Sequence, residues 1–131
     1  MAKLRHLAIK SSDPEAASKF YRDAFEFEEV GRAGGPGGSG WAIYLSDGTM
    51  NMAVFDLAAE GLPNAEPGGL NHFGVVVDDL DESMARLEGL GAVCVQPPPA
   101  DRSSSTFETK FVTPDGVSFD ISTHGWPGIS A

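Results

Sequence analysis

The chain repeats itself. "LRHLAIKSSDPE" (Leu4 to Glu15) and "LNHFGVVVDDLDE" (Leu70 to Glu82) share one outline at a spacing of 66 residues, which superposes His6 on His72 and Asp13 on Asp79. That period is too long for a solenoid unit, and two copies make an α+β domain of two similar halves.

Each copy has the same order of elements. "LRHLAIKS" alternates as a strand, with Leu4, His6, Ala8 and Lys10 on one face and Arg5, Leu7 and Ile9 on the other. Asp13 is a good helix cap, with Pro14 at the first helical position, where a missing N–H costs nothing. The spacing of Ala17, Phe20, Tyr21 and Ala24 predicts a helix from about Pro14 to Phe25 with those residues as its apolar face. "FEEVGR" reads as a strand, and "WAIYLSDGTMNMAVFDL" as a hairpin around Asp47-Gly48. The second copy runs likewise. "LNHFGVVV" is a strand; "DDLDESMARLEGLG" is a helix capped by Asp79, with Leu80, Met84, Leu87 and Leu90 facing the core and Gly91 as the stop. "AVCVQPPP" is a strand, and "TFETKFVTPDGVSFDIST" a hairpin turning at Asp115-Gly116. The expectation is one domain over 1–131: module 1 at about 1–58, a linker at about 59–68, and module 2 at about 69–125.

Composition bounds the function. The chain has 131 residues, long enough to bury a core, and a net charge of −10. Nine scattered basic residues offer no stripe to phosphates, which argues against nucleic-acid binding. No run of about 18 apolar residues exists to span a membrane, and no signal-peptide pattern opens the chain. The single cysteine, Cys94, allows no internal disulfide and suits the cytoplasm, on a strand as a small buried hydrophobe.

Two histidines at equivalent strand starts can be inherited from one ancestral residue. A metal site needs a third ligand, normally a carboxylate. Counting from the Asp115-Gly116 turn puts Asp120 on the last strand, with Ser122 and His124 on its face by alternation. The same count from Asp47-Gly48 reaches Met52, with Met50 and Val54 beside it on an apolar face. With Asp120 in register, metal binding is the favoured reading of His6 and His72. Tyr44, Glu108 and His124 are candidate acids or bases, each weighed against an ordinary surface or core role. Lys10 shares a face with His6 and suits an anionic substrate, although a solvated strand end explains it as well. "GRAGGPGGSG" (Gly31 to Gly40) lacks the Lys-Ser/Thr of a phosphate loop, and no helix follows, so it reads as a flexible connection and a lid. Arg102 in "DRSSSTF" is a candidate for a substrate carboxylate. Trp126 in "THGWPGIS" implies packing on the domain or on a second subunit.

"HLAIKSSDPEAASKFYRDAF", "LNHFGVVVDDLDESMARLEGLGA" and "TPDGVSFDIS" together make the chain resemble the vicinal oxygen chelate superfamily. That superfamily includes glyoxalases, epimerases, extradiol dioxygenases and bleomycin-resistance proteins. The resemblance implies a glyoxalase/dioxygenase-like fold, two tandem βαβββ modules forming a curved sheet around a metal cavity. It places ligand positions at His6, Met52, His72 and Asp120. Met52 departs from the oxygen or nitrogen donor of the four-ligand members, which leaves His6, His72 and Asp120 as in the extradiol dioxygenases, with Asp where those usually have Glu. Two histidines and one carboxylate suit non-haem Fe(II), with Mn, Ni, Co or Zn as other divalent candidates. The implied function is a metal-dependent enzyme on a small vicinal-oxygen substrate, extradiol-type first and glyoxalase-, lyase- or isomerase-type second. The competing implication is a metal-free small-molecule binder of the bleomycin-resistance type. A homodimer is expected, as in many relatives.

Overall fold

A computed structural model describes residues 1–38, 40–57, 68–103 and 107–130. The expected linker lies outside the described residues except for Gly68, as do Ser39 of the glycine segment and 104–106 of the polar loop. The elements run β1 (Lys3–Ser11), α1 (Pro14–Phe25), β2 (Glu28–Ala33), β3 (Ala42–Ser46) and β4 (Asn51–Asp56). The order then repeats as β5 (Gly69–Val76), α2 (Leu80–Gly89), β6 (Val93–Gln96), β7 (Thr109–Val112) and β8 (Ser118–Ser122). This is an α+β chain with βαβββ twice over, as the duplication predicts.

Two compact units carry these elements: His6–Asn71 with Pro127–Ala131, and Met1–Arg5 with His72–Trp126. The first, the N-unit, orders its strands β2-β3-β4-β1, with β1 parallel to β4 and the others antiparallel. Ile43, Leu45 and Val54 form its fully buried core, covered by Ala17 and Tyr21 of α1 together with Phe27 and Met52. The opposite face of the same sheet carries His6, Ala8 and Lys10 of β1, in register with Asn51, Ala53 and Phe55 of β4.

The second, the C-unit, orders its strands β5-β8-β7-β6, again with one parallel pair, β5 with β8. Val77, Leu80, Phe111, Phe119 and Ile121 make its core, with Met84 and Leu87 of α2 packed against it. Phe119 stacks between Phe73 and Phe111, at centroid distances of 5.4 and 5.9 Å.

Both helices start as expected. Asp13 accepts the Ala16 N–H at 3.1 Å and Asp79 the Glu82 N–H at 3.0 Å, each satisfying a donor that the first turn leaves open. Their apolar faces are narrower than the spacing predicts. Phe20 is 61% exposed and Leu90 73% exposed, and Ala24 is exposed as well. The stripe of α1 that meets the sheet is Pro14, Ala17, Ser18 and Tyr21, because a helix on a four-stranded sheet buries a narrow stripe and leaves its flanks to solvent. Phe20 instead sits edge-on to Phe25 and Tyr21 at the surface. Leu90 is the C-cap of α2, beyond its last helical residue. Cys94 is half-buried against the C-unit core, and burial raises its thiol pKa. The glycine segment begins inside β2 and leads into β3, with positive φ at Gly34, Gly37 and Gly40. A strand follows it, not a helix.

Candidate metal centre

Strand geometry decides which side chains can meet. In the N-unit, β1 alternates buried His6, Ala8 and Lys10 with half-buried Leu7 and Ile9. His6 lies opposite Asn51, and the two are hydrogen-bonded, Nδ1 to Oδ1 at 2.7 Å. Asn51 is fully buried and donates from Nδ2 to the Pro127 carbonyl at 2.9 Å. A donating Nδ2 fixes the amide orientation, so Oδ1 must accept, and the donor is the His6 Nδ1–H. That tautomer puts the imidazole lone pair on Nε2, the form a metal ligand requires.

The C-unit gathers charge instead. His72 Nε2 lies 3.0 Å from Asp120 Oδ2, with both side chains buried. No aligned hydrogen bond reaches that oxygen, so Asp120 Oδ2 is a sealed acceptor beside a ring nitrogen. Its other oxygen is held by Lys110, whose Nζ donates to Oδ1 at 2.8 Å from directly across the β7–β8 ladder. Glu108, two residues ahead of Lys110 and so on the same side, lies 3.6 Å from Lys110 Nζ and accepts the Trp126 indole N–H at 2.7 Å.

This cluster splits its two carboxyls. Burial, then the adjacent Asp120 carboxylate, pushes Glu108 up to about 7, against the pull of Lys110 and Trp126. Burial also works against ionised Asp120, but His72, Glu108 and Lys110 together outweigh it and hold that carboxyl well below its usual range. Asp120 is thus an anion over the whole physiological range, while Glu108 can hold or release a proton near neutrality.

The fourth corner is corrected by the register. Ala8 pairs with Ala53, and Gly74, two residues after His72, pairs with Asp120. The position equivalent to Asp120 is therefore Ala53, fully buried and without a donor atom. Met52 pairs with Leu7 on the opposite face and packs in the helix-covered core. Counting from the two turns misleads because Asn51 opens β4 three residues after Gly48, whereas Ser118 opens β8 two residues after Gly116. A slip of one residue turns every side chain over.

Other candidates separate in the same way. Tyr44 pairs with Ala53, which puts it on the His6 face, edge-on to Phe55 at 6.5 Å. His124 does not share the Asp120 face. β8 ends at Ser122, whose Oγ accepts the backbone N–H of His124 and of Gly125 and turns the chain, leaving His124 exposed. Lys10 is 3% exposed, so it is not a solvated strand end; among the described residues no carboxylate pairs with it. Arg102 is taken up by Asp81 in an exposed pair at 3.0 Å. Asn51 escaped sequence reasoning because buried amides have no spacing signature; its only signal was one polar residue between methionines.

A family model described as Glyoxalase/Bleomycin resistance protein/Dioxygenase superfamily matches residues 3–121. No curated protein matches the chain. Among solved structures, hypothetical protein BH1468 from Bacillus halodurans C-125 is 17% identical, with 92% of each chain covered and a TM-score of 0.70. A Streptomyces coelicolor methylmalonyl-CoA epimerase in complex with 2-nitronate-propionyl-CoA is 18% identical over 91% of this chain and 94% of that one, at 0.69. The 2,3-dioxygenase LapB from Pseudomonas sp. KL28 is 17% identical over 97% of this chain and 42% of that one, at 0.70. Identities this low establish a shared fold and nothing about chemistry. Among the described residues, no helix is long and apolar enough to cross a membrane.

Proposed function

Given that the chain belongs to the glyoxalase/bleomycin resistance protein/dioxygenase superfamily, we propose that it is a metal-dependent enzyme acting on a small substrate with two adjacent oxygens. His6, His72 and Asp120 hold the ion, and extradiol-type oxygenation is the favoured reaction. The observation that carries this reading is Asp120 Oδ2, a buried anionic acceptor without a hydrogen bond, 3.0 Å from His72 Nε2. A buried carboxylate oxygen beside an imidazole nitrogen is costly unless a proton on that ring or a metal cation between the two completes it. All three donors are buried, and Ala53 supplies no fourth. Two imidazoles and one carboxylate leave coordination positions for substrate, the arrangement that suits Fe(II). When bound, such an ion supplies Lewis acidity towards paired oxygens and, if ferrous, electrons for dioxygen.

The chain's own groups have separable tasks. Lys110 pins Asp120 through Oδ1 and so aims Oδ2. Asn51 sets the tautomer of His6. Glu108, at about 7, takes or returns a proton while Trp126 holds it in place. Lys10, buried on the His6 face, suits an anionic group on the substrate. Glu108 also favours a second reading, isomerase or lyase chemistry, in which proton transfer at an acidified carbon is the whole reaction.

The test is elemental analysis of anaerobically purified protein beside His72→Ala, followed by dioxygen uptake with catechols. About one iron per chain, lost in the variant, with catechol-dependent uptake, supports the oxygenase. Another divalent metal lost in the same way, without uptake, moves the assignment to isomerase or lyase chemistry. No metal after reconstitution overturns the enzyme and leaves a small-molecule binder.

A further inference from the structure

The family match ends at residue 121, yet the segment beyond it is firmly held. Pro127 accepts from Asn51 at 2.9 Å, the Gly128 carbonyl accepts from Ser46 Oγ at 2.7 Å, and the Ser130 N–H donates to the Thr49 carbonyl at 3.1 Å. The segment therefore lies along the β3–β4 hairpin of the N-unit. Gly128 makes that approach possible. Its φ is +82°, and a Cβ there would stand 2.7 Å from the Ser46 Cβ, closer than real Cβ contacts come.

One of these bonds leads to His6. Pro127 has no N–H but offers a carbonyl, and that carbonyl accepts the Asn51 Nδ2–H. Were the amide reversed, the fully buried Asn51 would turn an oxygen towards the Pro127 carbonyl oxygen, at the cost of an unsatisfied group. The carbonyl thus dictates the amide, and the amide dictates the imidazole. Ser46 strengthens the arrangement by accepting the Gly48 N–H at 2.9 Å while it donates to Gly128.

We propose that the Pro127–Ser130 segment is a positioning element of the site: through Asn51 it fixes His6 as the Nδ1–H tautomer and so presents Nε2 as a ligand. Asn51 and the segment act through His6 and touch no substrate. The value of the device for metal binding rests on the proposed function; the tautomer does not, and it can be read without metal.

The experiment is nitrogen NMR of the histidine rings in metal-free protein, with metal affinity measured alongside. Wild-type His6 is expected as the Nδ1–H form. Asn51→Leu, which removes the acceptor, is expected to release that tautomer and weaken metal binding about 10- to 100-fold. Asn51→Asp keeps the acceptor for Nδ1–H but sets an oxygen against the Pro127 carbonyl, and is expected to retain the tautomer with a lower Tm. Gly128→Ala leaves Asn51 intact but lifts the segment off Ser46, and is expected to loosen the tautomer in a protein that still melts cooperatively. Control by the segment is overturned if wild-type His6 carries its proton on Nε2, or if either Asn51→Leu or Gly128→Ala leaves the tautomer unchanged. Should the tautomer behave as expected while no variant and no wild type takes up metal, the positioning claim stands and the metalloenzyme reading falls.

Discussion

His6 and His72 occupy the same place in two copies of one motif, and their surroundings have little in common. His6 is gripped by a neutral chain, imidazole to amide to main-chain carbonyl. His72 faces an anion whose second oxygen is tied to an ammonium, with a carboxyl near neutrality beyond it. Backbone register is the same in both halves, since the last strand of each copy pairs parallel with the first, Ala8 with Ala53 and Gly74 with Asp120. What differs is the side chains on that register, Asn51, Ala53 and Tyr44 against Ser118, Asp120 and Lys110. Duplication preserved the scaffold, and the chemistry diverged at positions that the scaffold tolerates, because a buried strand position accepts any group whose polar atoms find partners.

Breaking the charged side is expected to have the largest effect. Asp120→Ala removes the proposed anionic ligand and leaves Lys110 buried with only the longer Glu108 contact, so metal uptake should vanish and stability fall by about 3 kcal/mol in urea titrations. Writing that side into the other comes next. Ala53→Asp places a carboxylate at a fully buried position, and its metal-free form should lose about 3 kcal/mol; added divalent ion should restore part of that, read as a rise in Tm. A Tm indifferent to metal would mean that position 53 is not a fourth corner.

Met52→Ala sharpens the register. It should cost about 2 kcal/mol through the helix-side core and leave metal content unchanged; metal loss would return Met52 to the ligand set. Trp126→Phe removes one donor to Glu108 and should cost about 1 kcal/mol, with metal content retained. The smallest effects test where the halves are alike. Asp13→Ala and Asp79→Ala should each cost about 1 kcal/mol, and a large inequality would show that the two helices do not serve equivalent roles.

Local chemistry was legible wherever one residue type has one use. Asp13 followed by Pro14 specifies a helix start, Asp-Gly specifies a hairpin turn, and both stand where the pattern puts them. The apolar faces of the helices were overestimated because periodicity marks what can be buried, while the width of the opposing sheet decides how much is. Cross-strand partners were illegible. Lys110 lies ten residues from Asp120, and Asn51 lies 45 from His6, and no spacing rule links them.

The sequence by itself determined the duplication, the order of elements, and the candidates His6, His72 and Asp120, because repetition and alternation are properties of the chain alone. Only the tertiary structure decided that Ala53 and not Met52 matches Asp120, that Lys10 is buried, that His124 lies past the strand, and that Pro127 reaches Asn51. The reason is physical. A strand has a period of two, so a single extra residue in a turn reverses which face a side chain serves, and only the register with a neighbouring strand records that choice.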